Sequence, residues 1–395
     1  MRIKALETKK PLGLYIHIPF CIRKCNYCDF LSMPTNEQLV EQYVQALCKE
    51  IASYKESAAD YVVRSIFIGG GTPSSIPEHY IEKILTTVRE HVTLLQEDGE
   101  DGIPEITMEA NPGTLSLEKL KSYKRAGINR LSIGLQSIHN DQLKLLGRIH
   151  TYEEFVSNYN LAREVGFDNI NIDLISALPG QTLEDWKETL ENVISLHPEH
   201  ISAYSLIIEE GTPFYEIYGK GQGENLLPTE EVERSIYSLT KELLFNAGYE
   251  RYEISNYART GYESKHNSSY WKGIEYLGFG LGASSLFQKE RFSNETDIKF
   301  YLDQITNHKS IRRDVELLTQ KQQMEEFMFL GLRMMEGISI EEFTEKFEVD
   351  IMSIYGNTIK RFVESGFMSQ SKESISLTEK GIDVSNQIFA EFLLD

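Results

Sequence analysis

The sequence of 395 residues lacks three features, each of which would define a class of protein. It has no run of about 18 or more apolar residues, as a membrane-spanning helix requires. Residues 1–13 carry charge but no apolar segment of the kind found in secretory signals. Basic residues are also few: 40 Lys and Arg stand against 60 Asp and Glu, and a net charge of −20 repels nucleic-acid phosphates. We therefore expect a cytoplasmic protein without a transmembrane segment or a nucleic-acid partner.

Cysteine is scarce as well, with four residues in the chain. Three of them, Cys21, Cys25 and Cys28, fall in one stretch with the spacing C-x3-C-x2-C. Cytoplasmic thiols stay reduced, which favours metal or cluster binding over disulfides. Cys48 stands alone in a helical pattern, and we expect it to be a core thiol rather than a fourth ligand.

Two kinds of metal centre use such thiolates. Structural zinc sites pair C-x2-C with a distant second pair of ligands, and no second pair of cysteines follows here. His17 is near in sequence, but it lies in an alternating run typical of a strand. An iron–sulfur cluster fits better, because thiolates are its usual ligands. Three cysteines on a four-iron cluster would leave one iron open to bind and activate a small molecule.

The order of apolar patterns along the chain predicts an α/β fold. A length of 395 residues indicates two or three domains. Short β-rich segments alternate with longer helical patterns, which favours a parallel sheet, either open or closed into a partial barrel. In such barrels the chemistry sits at the carboxyl ends of the strands. The predicted strands are 13–18, 65–70, 105–110, 130–135, 169–175 and 200–206.

Unusual residues gather at the predicted strand ends. The cysteine stretch follows the first strand, and GGGTPS follows the second, where three glycines would let the backbone approach a ligand closely. The next three strands end near Glu109, Gln136 and Asp173. An isolated acid or amide at a strand end is usually a cap or a solvated group. Several on one rim, beside a cysteine cluster, favour a functional site.

Together these motifs resemble the radical S-adenosylmethionine (SAM) superfamily, whose hallmark is C-x3-C-x2-C after the first strand. YIHIPFC, GGGTP, E-x-NP, GLQS and DLI-x-x-LPGQT resemble its oxygen-independent coproporphyrinogen III oxidase-like branch, and the resemblance covers nearly the whole chain. It implies a partial (β/α)6 TIM-like barrel in residues 1–215 and an α+β extension in residues 216–304. Residues 305–395 lose the βα alternation and resemble a small winged-helix-like domain.

The resemblance also implies cofactors. Cys21, Cys25 and Cys28 would hold a [4Fe-4S] cluster, with SAM on the open iron. The residues matching positions around this SAM are Tyr15, Tyr27, Gly70 and Glu109. Further residues match positions that hold a second SAM in the dehydrogenase of this branch, although they could equally shape a single pocket. These residues are Gly71, Thr72, Gln136, Arg148 and Asp173.

Two features depart from that dehydrogenase. Asp29 and Phe30 follow Cys28 where the dehydrogenase has a further cysteine, and only twenty residues precede Cys21. Both features resemble a sister group of haem chaperones, as does HNSSYW at residues 266–271. The resemblance implies a protein that binds haem and passes it to an acceptor protein, with any membrane contact made peripherally through the acceptor. The alternative is an enzyme that oxidises coproporphyrinogen III with a 5′-deoxyadenosyl radical.

His266, the first residue of HNSSYW, has two interpretations. A neutral imidazole is a usual haem-iron ligand, and flat aromatic rings can pack on a porphyrin face. The local sequence by itself favours a structured loop with aromatic anchors. With the resemblance added, we predict a haem-related role for His266.

Overall fold

The computed structural model describes residues 9–34, 36–96, 102–221 and 223–394. The strands are β1 (Lys10–Ile18), β2 (Phe20–Cys21), β3 (Met33–Pro34), β4 (Tyr61–Gly70), β5 (Glu105–Ala110), β6 (Arg130–Gln136), β7 (Ile170–Ser176), β8 (His200–Ser205), β9 (Glu250–Arg251), β10 (Asn256–Ala258), β11 (Tyr276–Phe279), β12 (Ser284–Phe287), β13 (Glu290–Asn294), β14 (Arg312–Leu317), β15 (Ile338–Ser339), β16 (Met368–Gln370) and β17 (Ser374–Leu377).

The helices are α1 (Glu37–Ser53), α2 (Glu78–His91), α3 (Leu117–Arg125), α4 (Asn140–Leu145), α5 (Tyr152–Val165), α6 (Leu183–Ser195), α7 (Pro213–Tyr218), α8 (Glu230–Asn246), α9 (Lys265–Trp271), α10 (Ile298–Thr306), α11 (Gln320–Gly331), α12 (Ile340–Phe347), α13 (Ile351–Glu364), α14 (Glu379–Ile382) and α15 (Ser385–Ala390). Short 3-10 turns occupy Pro73–Ser75 and Glu224–Leu226. Among these described helices, none combines the length and the apolar character needed to cross a bilayer.

All six predicted strands are present and form one parallel array in the order β1-β4-β5-β6-β7-β8. Along β1, Leu12, Leu14 and Ile16 are fully buried in the main hydrophobic cluster that packs the helices onto the sheet. The alternate residue Tyr15 points to the opposite face and stacks on Phe67 of β4. This alternation gives the partial barrel an apolar outside beneath the helices and a polar and aromatic interior, and it confirms the predicted α/β fold.

The extension does not form a separate layer, because its strands continue the same sheet. β11 pairs in parallel with β1, and β12, β13 and β14 follow it in antiparallel order. At the other edge, β10 and β9 continue antiparallel beyond β8. Within the described residues the sheet therefore has 12 strands, with four on one side of β1 and seven on the other. β14 lies beyond residue 305 yet belongs to this sheet, so the division into three domains stays a prediction.

The C-terminal region has a hydrophobic cluster of its own, drawn mainly from α11–α15 and the small antiparallel sheet β15-β17-β16, a winged-helix-like arrangement. It meets the barrel at the amino-terminal ends of the strands. Met335 donates its backbone N–H to the carbonyl of Tyr252 (3.0 Å), and the Tyr252 hydroxyl lies 2.8 Å from Nε2 of His200, the first residue of β8. The C-terminal domain thus lies at the end of the barrel opposite to the cysteine loop.

Candidate cofactor site and the HNSSYW helix

The cysteine loop is held at its base by a short parallel pair, β2 with β3, just after β1 ends. Cys21 lies buried on β2, while Cys25 and Cys28 are half-buried on the loop. The loop is tied to the end of α4, because Asn26 donates its backbone N–H to Leu146 and its side-chain amide to Leu145, each over 2.9 Å. Two strand ends and a neighbouring helix therefore fix the three thiols together.

The thiols suit a cluster better than a single metal ion. Burial first, with smaller contributions from the charges of Cys25 and Cys21, raises the pKa of the Cys28 thiol to about 11, so the sulfurs lie near one another. Among the described residues, no three His, Cys, Asp or Glu are arranged to hold one ion. An all-thiol set spread over a loop is the donor chemistry of an iron–sulfur cluster. Binding of such a cluster would displace the protons of the three thiols.

A chain of hydrogen bonds links two of the cysteines through the rim. The Thr72 hydroxyl donates to the sulfur of Cys21 (3.6 Å) and accepts from the amide of Asn111 (3.0 Å). Arg148 donates to the side-chain Oδ1 of Asn111 (2.8 Å) and to the sulfur of Cys25 (3.7 Å). The guanidinium is thus positioned between the second cysteine and the rim. Sequence reasoning missed Asn111, although the E-x-NP motif contained it.

Gly70 and Glu109 form the next part of the rim. Gly70 has a φ of +111°, and a Cβ there would come within 2.4 Å of the His17 ring, so only glycine fits. Its N–H donates to Glu109 Oε2 over 3.1 Å. Burial first, and then the charge of Asp173, raise the pKa of Glu109 to about 8, against the lowering effect of that hydrogen bond. Glu109 is therefore protonated at neutral pH until a cation approaches.

The Asp173 carboxylate, by contrast, has two hydrogen-bond donors beside it. It accepts from the Ser132 hydroxyl (2.9 Å) and from the Asn171 amide (2.8 Å). These two bonds fix its carboxylate inside the barrel, facing Glu109. Both carboxyl groups face the same barrel interior, which is therefore suited to a ligand with positive charge.

Gln136 and Arg148 converge over Gly134 of β6. A Cβ on Gly134 would lie 2.8 Å from the Gln136 amide nitrogen and 3.2 Å from an Arg148 nitrogen. Gln136 ends β6 with a φ of +72°, a left-handed conformation that turns its side chain out of the strand pattern. Tyr27 lies half-buried nearby, and desolvation raises its pKa while the charge of Arg148 opposes that rise. The structure thus brings the predicted rim residues to one end of the barrel.

His150 is a second residue that sequence reasoning missed. It lines a small cleft together with Cys25, Thr72, Asn111 and Arg148. Burial and then the Arg148 charge lower its pKa to about 3, so the imidazole is neutral. Its Nε2 has no hydrogen-bond partner among the described residues. A lone histidine two residues after Arg148 carries no recognisable signal in the sequence.

His266 does not join this rim. It is the second residue of the HNSSYW helix α9, whose backbone N–H groups at Lys265 and His266 donate to the carboxylate of Glu105 (2.9 and 3.0 Å). Glu105 is the first residue of β5. The helix therefore closes the floor of the barrel, at the end opposite to the cysteines.

Both ring nitrogens of His266 are engaged. Nδ1 lies 2.9 Å from the Ser65 hydroxyl and Nε2 lies 2.8 Å from the Tyr270 hydroxyl, while the ring stacks on Phe67 at 5.3 Å. The side chain is fully buried, and burial followed by the charge of Arg130 lowers its pKa to about 3. Ligation of a haem iron would require one of these hydrogen bonds to break.

The aromatic residues of the motif join the barrel to the C-terminal domain. Tyr270 packs edge-on against Tyr276 of β11, with ring centres 4.6 Å apart. Trp271 carries the guanidinium of Arg333 over its ring at 4.3 Å. This geometry supports the interpretation of HNSSYW as a structured segment with aromatic anchors.

Comparisons with known proteins place the chain in a family. A profile described as the radical SAM superfamily matches residues 15–193, and one described as the HemN C-terminal domain matches residues 318–384. The heme chaperone HemW of Bacillus subtilis (strain 168) is 38% identical over 379 residues, covering 96% of this chain and 98% of the relative. The chain belongs to the HemW family of radical SAM proteins. The resemblance predicted from the motifs is thereby confirmed.

Two further comparisons agree. The heme chaperone HemW of Lactococcus lactis subsp. lactis (strain IL1403) is 37% identical over 387 residues, covering 98% of both chains. The solved structure of coproporphyrinogen III oxidase (HemN) from Escherichia coli superposes with a TM-score of 0.83 at 24% identity, over 99% of this chain and 92% of that one. At this identity the HemN structure demonstrates a shared fold. Membership of the radical SAM superfamily implies a [4Fe-4S] cluster and SAM as cofactors.

Proposed function

We propose that this protein is a haem chaperone that binds haem and transfers it to an acceptor protein. The observation that carries the proposal is the 38% identity to B. subtilis HemW, which extends over 96% of this chain. Asp29 and Phe30 stand where the dehydrogenase of the same branch has a further cysteine, and this departure supports the same choice. The protein would meet its acceptor in the cytoplasm. Any contact with a membrane would be made by the acceptor.

In this proposal, Cys21, Cys25 and Cys28 hold the [4Fe-4S] cluster. A cluster with SAM on its open iron supplies a one-electron reduction of the sulfonium when both are bound. The chain's own residues position and shield the reactants. Thr72 and Arg148 donate hydrogen bonds to two of the sulfurs, which supports the assignment of these two residues to the rim of this site.

The remaining rim residues would orient SAM. Arg148 can hold a carboxylate with two parallel hydrogen bonds, and Asp173 can accept from an ammonium or ribose group. Glu109 carries a proton that it releases when a cation approaches. The other contacts to SAM are assigned by family resemblance to Tyr15, Tyr27, Gly70, Gly71, Thr72 and Gln136. Whether they serve one SAM or two, they lie at the same end of the barrel.

The proposal is tested by offering haem and coproporphyrinogen III separately to the cluster-reconstituted protein. Stable haem uptake with no porphyrinogen oxidation, followed by transfer to an apo-haem protein, is the expected result. Formation of protoporphyrinogen would instead establish the dehydrogenase alternative. Cys25→Ser serves as the variant that lacks a cluster ligand. Cys48→Ser is its matched control, since Cys48 lies on α1 among the core residues.

A further inference from the structure

A cavity of about 620 Å³ lies between the floor of the barrel and the C-terminal domain. Its barrel side includes Leu12 of β1 and Arg64 of β4, the HNSSYW helix contributes Ser268 and Ser269, and Met334 belongs to the C-terminal side. We call it the junction cavity. Its volume falls within the range of about 300–1,000 Å³ that is usual for sites of organic ligands.

We infer that the junction cavity is the haem-binding site of this protein and that the Met334 thioether ligates the haem iron. The inference rests on the proposed haem chaperone function and specifies where the haem lies. It explains how the HNSSYW helix can serve haem binding although His266 is buried: the helix forms a wall of the cavity through its serines, while His266 faces the barrel interior.

The first argument is the apolar part of the lining. Leu95, Ile103 and Ile274 are aliphatic residues of the lining, alongside two methionines. A porphyrin is a flat apolar ring that needs such surfaces on its faces. The methionines add flexible, polarisable side chains that adapt to a flat ligand.

The second argument is the charge at the cavity. Arg64 is exposed and has no hydrogen-bond or ion-pair partner among the described residues. Lys272, in the same lining, is already paired with Glu336 at 2.9 Å. The lining also contains Glu250 and Glu263. Arg64 is thus the cation best placed to receive a haem propionate without first breaking an ion pair.

The third argument concerns the iron ligand. Tyr252 also lines the cavity, but its hydroxyl lies 2.8 Å from Nε2 of His200 and accepts from the backbone N–H of Ser264 over 3.3 Å, so two neighbours already engage it. Met335 packs against the hydrophobic cluster of the C-terminal domain. Met334 is buried, with 6% exposure, yet it belongs to none of the hydrophobic clusters of the described residues. Thioethers are established axial ligands of haem iron.

The test is a haem titration of the full-length protein, followed by absorption spectroscopy of the ferric and ferrous complexes. Met334→Leu keeps the volume but removes the sulfur. We expect loss of the far-red band of thioether-ligated ferric haem and an affinity at least about tenfold lower, as for other metal-site losses. Met352→Leu is the matched control, because Met352 lies on α13 away from the cavity.

Two further variants probe the cavity without changing Met334, the proposed iron ligand. Arg64→Ala should weaken haem binding about two- to fivefold, the size expected for an exposed ion pair. Its matched control is Arg125→Ala, an exposed arginine on α3 outside the cavity. Ser268→Trp should obstruct the cavity and greatly reduce haem uptake. Thermal unfolding verifies that each variant is folded.

The outcomes separate the two proposals. If the wild-type protein takes up no haem, the chaperone proposal and this site both fail. If the wild type binds haem but Met334→Leu and Ser268→Trp bind it with unchanged spectrum and affinity, the site is wrong and the chaperone function stands. If Ser268→Trp alone abolishes binding, the cavity is supported and Met334 is excluded as the ligand.

Discussion

Replacing His266 by Leu should destabilise the protein strongly at neutral pH and less in acid. Leu has a similar volume but cannot pair with the buried Ser65 hydroxyl or with the Tyr270 hydroxyl, each now within hydrogen-bond distance of the ring. A buried hydroxyl left without a partner costs about 1–3 kcal/mol. We therefore expect the variant to lose about 2–6 kcal/mol of unfolding free energy at pH 7.

The acid dependence follows from the lowered pKa of His266. In the unfolded chain a histidine binds a proton near pH 6.5, whereas the folded protein resists protonation of His266 until about pH 3. Acidification therefore favours the unfolded state, and the contribution of this histidine is complete above pH 6.5 and falls below it. Between pH 7 and pH 5 the contribution decreases by about 2 kcal/mol. The Leu variant has no such loss, so its deficit should shrink by that amount.

The assay is urea unfolding at both pH values, followed by tryptophan fluorescence. His79→Leu is the matched control, because His79 is exposed on α2 and its replacement should leave stability nearly unchanged. A deficit that is equal at pH 7 and pH 5 would refute the argument. It would mean that His266 is accessible to protons, as a solvent-facing haem ligand would be.

Three other predictions concern the remaining features. Replacement of Cys21 by Ser should remove the visible iron–sulfur absorption, since a hard oxygen replaces a soft thiolate, whereas Cys48→Ser should retain it; loss in both would make Cys48 a ligand. SAM affinity, measured by calorimetry, should rise between pH 6.5 and 9, because Glu109, with its pKa of about 8, loses its proton in this range. Glu109→Gln should flatten that rise. An equal slope in the variant would exclude Glu109 as the group that causes it. Trp271→Leu should cost about 0.5–2 kcal/mol through its lost contact with Arg333 and increase proteolysis at the barrel junction; unchanged proteolysis would contradict the anchoring role.

The barrel strands were predictable because their signal is local. Several of the six strands are runs of β-branched and apolar residues followed by an amphipathic helix, as in Ile170–Ser176 and Leu183–Ser195. Parallel strands then place their carboxyl ends together. Hence the sequence alone assigns Glu109 and Asp173 to one rim.

The additional strands of the sheet were not predictable in this way. β9 and β10 have two and three residues, too short for a periodic pattern to appear. β11 has four residues, one of them Gly278, and Gly280 follows it; its partner β1 lies at the other end of the barrel sequence. Such pairings depend on long-range contacts that no window of sequence contains.

The environment of His266 shows the same limit. A histidine next to Asn in a short polar segment gives no indication of whether it faces a ligand or the core. Its burial is decided by Glu105, which fixes the start of α9, and by Ser65, which supplies a hydrogen-bond partner from β4. Both partners are distant in sequence.

The pairing of β1 with β11 also bears on synthesis of the chain at the ribosome. β1 carries the cysteine loop at its end, and it gains its first neighbour when residues 61–70 emerge. Its other edge stays open until residues 276–279 have been made. An open strand edge invites pairing with other chains. A nascent chain stalled before residue 276 would therefore expose an unpaired strand beside the cysteines, and cluster insertion is best delayed until β11 has closed that edge.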